Sequence, residues 1–238
     1  MPRLVDLSQE IYQGMGVYPG HLKTVIWDHA NHSETVKFFD GGFSFHSQGL
    51  MMCDHGPTHV DAISHLDPAE GAPSIDEMPL DTFYGPALCI DVSHVEPPEY
   101  ITVDDLVQGL EAAGQVLEPG DALLLRTGTF DRYGGTLDYT TLYTGLDEDA
   151  GNWLAERQVK VFGVDSPSPD NPISRTYPVH MMCRAKHITH YENLANLDQV
   201  AGRRFIYLGL PIPFRRGTGS PIRAIAWLPE GPPAPSPT

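Results

Sequence analysis

Short apolar segments bounded by Gly, Pro or Asp recur along the whole chain, and they constrain its fold more than any other feature. They lie at residues 3–7, 24–27, 43–52, 87–92, 122–126, 159–164, 205–209 and 222–227. Their length and boundaries are strand signals. Helical patterns are fewer. Residues 102–113 (TVDDLVQGLEAA) open with Thr and acidic residues and space Val103, Leu106, Val107 and Leu110 along one face, which predicts a surface helix. Residues 149–157 and 196–200 predict shorter ones. Strands therefore outnumber helices and do not alternate with them regularly enough for a doubly wound sheet. The expected class is α/β, with a mixed, barrel-like β core and flanking helices.

At 238 residues the chain can bury one substantial core, so a single domain is expected over 1–229, followed by a Pro-rich tail at 230–238 that offers little to bury. No repeat of about 20 to 50 residues is visible, which argues against a solenoid or propeller. Residues 66–80 read as a loop tacked to the core by Ile75, Met78 and Leu80. Following directly on a histidine cluster, this loop is a candidate wall for an active site.

With 31 acidic and 15 basic side chains the formal charge is −16, which repels phosphate backbones and anionic lipid. Nucleic acid is not an expected partner. Nor is a membrane, because no apolar run approaches the roughly 20 residues that a span requires. The start MPRLVDLSQEIYQG lacks the pattern of an export signal, so the expected compartment is the cytoplasm. Cys53, Cys89 and Cys183 have no CxxC spacing and read as buried thiols.

The chemistry is concentrated in CDHGPTHVDAISHLD, where His55, His59, Asp61 and His65 fall within eleven residues. Imidazole nitrogens and a carboxylate suit Zn²⁺ or Mn²⁺, and three protein ligands leave room for water. His55, His59 and Asp61 supply such a set, with His65 close enough to handle protons. Pro57 lacks a backbone donor and biases Gly56 away from helical geometry, so a turn is expected to fold the two imidazoles toward one point, held by the Thr58 hydroxyl. Of the other histidines, His190 would share a strand face with Glu192 and could approach a metal, but it reads first as a packed or exposed side chain. His21, His29, His32, His46 and His94 are scattered and receive no role. Asp165, Ser166 and Asp170 read as a capped turn rather than as pocket residues, and Arg223 as structural. Serine-nucleophile elbows, P-loops and GxGxxG fingerprints do not occur.

These residues resemble the cyclase family that includes bacterial kynurenine formamidases and isatin hydrolases. Its pattern HxGTHxDxxxH is matched by His55, Thr58, His59, Asp61 and His65, with Pro57 where the family usually has Gly. The likeness continues through VDLSQEI, YPG at 18–20, GVDSPSPD at 163–170, the pair His180 and Glu192, and GSPIRAIA near the end. The resemblance implies a swivelling β/β/α fold. It also implies a first metal on His55, His59 and Asp61, a second completed by His180 and Glu192, bridging by Asp61 or Glu192, and His65 as proton donor and acceptor. Tyr18 stands where formamidases place a substrate-stacking Trp, while His21 replaces their usual Asp. A homodimer or higher homo-oligomer is implied as well.

The expected function is that of a hydrolase using one or two divalent ions, Zn or Mn, to activate water against a C–N or C–O bond of a small amide, lactam or lactone. N-formylkynurenine is the first candidate substrate, and an isatin-type lactam or a lactone the second. A non-catalytic metal-binding protein is the reading from a different class.

Overall fold

A computed structural model describes residues 2–229; the expected Pro-rich tail at 230–238 lies outside them. In chain order the elements are β1 (Arg3–Asp6), β2 (Val25–Ala30), α1 (His32–Thr35), β3 (Ser47–Met51), β4 (His59–Asp61), α2 (Ile63–Leu66), β5 (Tyr84–Asp91), β6 (Tyr100–Ile101) and α3 (Val103–Ala113). There follow β7 (Ala122–Arg126), α4 (Thr129–Tyr133), β8 (Gly145–Leu146), α5 (Glu148–Glu156), β9 (Val161–Val164), α6 (Pro178–Lys186), β10 (Thr189–Glu192), β11 (Arg204–Leu208), β12 (Gly219–Pro221) and β13 (Ile225–Leu228).

Nine strands form one curled, half-barrel sheet in the order β1-β13-β11-β5-β7-β9-β10-β4-β12. The central strands β5, β7, β9 and β10 run parallel, and the flanking pairings are antiparallel. Parallel neighbours need long crossovers, and here the crossovers carry α3, α5 and α6. The mixed, barrel-like α/β class read from the sequence is the observed one.

Alternation along the strands separates two cores. Leu88 and Ile90 of β5, Leu123 and Leu125 of β7, and Phe162 and Val164 of β9 face the helices, where they meet Leu106, Trp153, Leu154, Val179 and Met182. The intervening Ala87, Cys89, Leu124 and Val161 face the other way and pack inside the curl with Tyr191, Phe205, Tyr207 and Ala226. Each fully buried Leu, Ile or Phe is worth about 1.5–3 kcal/mol. A one-residue slip in register would exchange the two sets, so both faces fix the pairing.

Helix α3 forms as its sequence predicts. Thr102 accepts from Asp105 N while the Asp105 carboxylate accepts from Thr102 N, and Gly114 closes the helix at φ 60°. The Asp147 side chain caps α5 by accepting from Ala150 N. Several boundaries differ from expectation. Residues 43–52 contribute only β3, which pairs with β2 in a separate two-stranded hairpin, and residues 196–200 form a 3-10 turn at Leu197–Gln199. The stretch 222–227 contributes only the start of β13, because β12 ends at Pro221 and the chain must turn before pairing again. In the loop after α2, Ile75 and Met78 are buried, but Leu80 is 66% exposed and tacks nothing down. Cys89 and Cys183 are buried free thiols, whereas Cys53 is only partly covered.

Candidate metal centre and active site

Strand β4 lies between β10 and β12 near one end of the sheet. Its two-residue period sends Val60 into the core inside the curl and leaves His59 and Asp61 on the opposite face, toward α2 and α6. The register places His59 across from Glu192 on β10 and Asp61 across from Gly219 on β12. Gly219 matters sterically: a Cβ there would stand 2.8 Å from the His55 ring, so glycine is what admits that imidazole.

The turn before β4 delivers His55. It contains a cis Gly56–Pro57 bond, and the Pro57 carbonyl accepts from His59 Nδ1 at 2.9 Å. This commits the His59 proton to Nδ1 and leaves Nε2 free as a ligand. Thr58 donates its hydroxyl to the Asn193 carbonyl at 2.5 Å and accepts from Gln9 N at 2.8 Å, pinning the turn to the residue that follows β10 and to the N-terminal segment.

At the centre is Asp61. Its Oδ1 is 2.8 Å from His55 Nδ1 and 3.3 Å from His59 Nε2, and its Oδ2 is 3.4 Å from His190 Nε2 and 3.8 Å from His65 Nε2. Glu192 reaches His59 Nε2 at 3.4 Å, His190 Nε2 at 3.2 Å and His180 Nε2 at 3.7 Å. Two sets of side chains could each hold an ion: His55, His59 and Asp61, and Asp61, His180, His190 and Glu192. In both, the ligand atoms lie within 4.8 Å of one another, and Asp61 belongs to both.

The donor set fits a divalent cation on two further grounds. His59 Nε2 is buried with no hydrogen-bond partner, an orphan that a bound ion would satisfy. The charges point the same way. Burial alone would raise the Asp61 pKa, but the His190 and His55 imidazoles beside it hold it well below the usual carboxylate range. Burial opposes charge on His180, yet Asp170 and Glu192 push it up to about 9. Burial likewise opposes charge on His55, yet Asp61 raises its pKa, so these carboxylates favour positive charge at His55 and His180, the charge a bound cation would supply in their place.

Helix α6 brings in His180, and its start is unusual. The Tyr177 side chain makes no cap; instead the Asp170 carboxylate, from the preceding segment, accepts from Val179 N at 2.9 Å and His180 N at 3.1 Å. The same carboxylate accepts from His180 Nδ1 at 2.5 Å, which turns Nε2 toward Glu192. Asp170 is thus a cap and an orienting group at once, rather than part of a self-contained turn. Asp170→Ala is expected to cost about 1–2 kcal/mol of stability and about 10- to 100-fold in metal affinity. Thermal melting and metal titration measure the two, and unchanged affinity would remove Asp170 from the orienting role.

The structure brings His55, His59, Asp61, His65, His180 and Glu192 to one cavity of about 260 Å³ or its immediate wall, with Tyr18 on the rim. It also adds residues that the sequence left aside. His190 is wholly buried, stacked on Phe162 with ring centroids 5.3 Å apart, its Nδ1 3.6 Å from Cys183 Sγ, so its Nε2 joins the carboxylates. The sequence held a signal for it, the two-residue step to Glu192. His21 lines the cavity 5.9 Å from the His55 ring, and Tyr177 and Ser168 complete the wall. Of the stretch 66–80, only Leu66, the last residue of α2, lines that cavity.

A curled α/β sheet carries clustered imidazoles and two carboxylates at one rim, opening on a small cavity, an arrangement suited to holding a divalent ion. The chain belongs to the Putative cyclase family, which it matches over residues 5–171. It is 28% identical over 227 residues to a kynurenine formamidase of Bacillus cereus, covering 93% of this chain and 95% of the relative. Isatin hydrolase A from Ralstonia solanacearum superposes with a TM-score of 0.82 at 25% identity, covering 96% of this chain and 92% of the other. Isatin hydrolase A from Labrenzia aggregata, bound to benzyl benzoate, shares the fold with a TM-score of 0.83 at 24% identity, covering 96% and 94%.

Proposed function

We propose that this chain hydrolyses a C–N or C–O bond of a small amide, lactam or lactone, with an aryl formamide such as N-formylkynurenine the first class to test and an isatin-type lactam the second. The observation carrying this reading is the buried Asp61 shared by two ligand sets, beside an orphaned His59 Nε2. Similarity to a kynurenine formamidase and to isatin hydrolases supports both substrate classes.

In the proposed site His55, His59 and Asp61 hold one ion, and Asp61, His180 and Glu192, joined by His190, hold a second. Zn²⁺ and Mn²⁺ both suit such ligands. A bound ion lowers the pKa of water and polarises a carbonyl. The chain's own residues do the rest. Tyr18 and Tyr177, whose hydroxyls are 3.0 Å apart, close the rim over an aromatic substrate. His65 takes the proton from the attacking water and returns it to the leaving nitrogen or oxygen.

Residues 1–229 are proposed as one domain, working in the cytoplasm; among the described residues no helix is long and apolar enough to cross a membrane. The β2–β3 hairpin and the segment within it expose Trp27, Phe38, Phe43, Phe45, Leu50 and Met51, which supports a homodimer or higher assembly through this face.

Chelator treatment followed by removal of the chelator tests the proposal. The expected result is near-complete loss of hydrolysis of N-formylkynurenine, isatin or a simple lactone, restored by Zn²⁺ or Mn²⁺ at one or two ions per chain. Undiminished turnover by protein free of metal on elemental analysis overturns it.

A further inference from the structure

Tyr18 stands between two cavities. On one side is the cavity of the histidine nest, and on the other a groove of about 400 Å³ between Pro97, Pro98, Leu142, Tyr143, Pro172 and Ile173. The remaining lining of this groove is Pro19, Thr140 and Thr141, so it carries no charged side chain.

The groove is built onto the same segment that holds the site. Asn171, next to the Asp170 that orients His180, is buried and donates from Nδ2 to the Pro98 and Glu99 carbonyls, both at 3.0 Å. Thr144 donates its hydroxyl to the same Glu99 carbonyl at 2.6 Å. Two prolines on one edge and Pro172 on the other leave the walls little conformational freedom. Burial pushes the Tyr18 and Tyr143 phenols far up, so both stay neutral at any working pH.

We infer that this groove is a second substrate compartment, which receives an uncharged apolar group, a ring or branched alkyl, carried by the molecule whose carbonyl sits at the histidine nest. The inference rests on the proposed hydrolase reading and narrows its substrate class. Neither cavity is lined by Lys or Arg, and the carboxylates lining them, Asp61 and Glu192, are committed to the imidazoles. The groove itself offers no charged partner, so a zwitterionic amino-acid head such as that of N-formylkynurenine is costly to desolvate there, and among the proposed aryl amides the groove favours neutral members over N-formylkynurenine. A neutral aryl amide, lactam or ester with an apolar substituent meets only compatible surface. The occupant extends past Tyr18, the one residue common to both cavities.

The test compares formanilide with its 2-, 3- and 4-benzyl derivatives and with carboxymethyl derivatives at the same positions, on the metal-loaded enzyme. At least one benzyl isomer is expected to gain about 10- to 100-fold in kcat/KM, chiefly through KM, and the carboxymethyl series nothing. Leu142→Trp and Ile173→Trp, which fill the groove, are expected to abolish that gain and leave formanilide kinetics unchanged. Equal kcat/KM for formanilide and all its benzyl derivatives overturns the compartment and leaves the hydrolase reading standing. If no anilide is hydrolysed, the hydrolase reading fails on these amides, and the groove is judged by calorimetry with benzyl phenyl ketone. Binding weakened about 10-fold or more in both Trp variants upholds the groove, and equal binding in all three proteins overturns it.

Discussion

Asp61→Asn is expected to give a folded protein that loses its metal and at least about 10³-fold in turnover, the scale set by removing a preorganised electrostatic centre. The substitution keeps the size of the side chain and removes its charge. That charge is the counterion of His55 and His190 and the only group shared by both ligand sets. Without it, the His55, His59, His190 and His65 nitrogens lose the carboxylate they share, with Glu192 left beside His59 and His190 and Asp54 beside His55, and a divalent ion loses its most central oxygen. The fold has no such dependence. The Asp61 contacts that hold β4 are made by its main chain, whose carbonyl accepts from Thr189 Oγ1 at 2.6 Å, and by the register with Gly219. Circular dichroism should therefore match the parent protein while elemental analysis reports loss of metal. A variant that keeps full metal content and wild-type turnover would remove Asp61 from the centre of the site.

What the sequence reveals, and what it hides, follows from the range of the interactions involved. The surface helix at Val103–Ala113 is legible because its cap, its apolar face and its closing glycine are all local. The mixed sheet is legible for a similar reason, since strand alternation survives even where boundaries shift. Helix α6 is less so. Its entry is stabilised by Asp170, eight residues before Pro178, rather than by a neighbouring cap, and no local capping pattern marks it. His190 is undervalued by the same logic: its partners Asp61, Phe162 and Cys183 come from three other parts of the chain. Gly219 and Asn171 act through what they make room for or tie together, and neither leaves a periodic signature. The cluster at 55–65 stands out because the turn before β4, β4 itself and α2 set four functional side chains within one short stretch.

That same short stretch separates binding from proton transfer, and His65 is where the separation can be measured. It sits in α2, one helical turn beyond Asp61, and its ring centroid is 4.0 Å from that of His55. Yet it belongs to neither ligand set, and its side chain keeps 36% of its exposure, where His59 and His190 keep 1% and none. A ring that touches both the nest and the open cavity can exchange protons with substrate and with solvent. Burial pushes its pKa down, Asp61 pulls it up, and the neighbouring His55 and His180 charges leave it below the ordinary histidine value. At neutral pH the ring is therefore unprotonated and able to accept a proton, and activity that depends on it declines only as pH falls through that lowered value, below about 6.5. His65→Ala is accordingly expected to keep the full metal content and to lose about 10²- to 10⁴-fold in kcat. The acid limb of the pH–rate profile should disappear with it. Loss of metal from the variant would make His65 a ligand, and a wild-type rate at every pH would leave it no part in the chemistry.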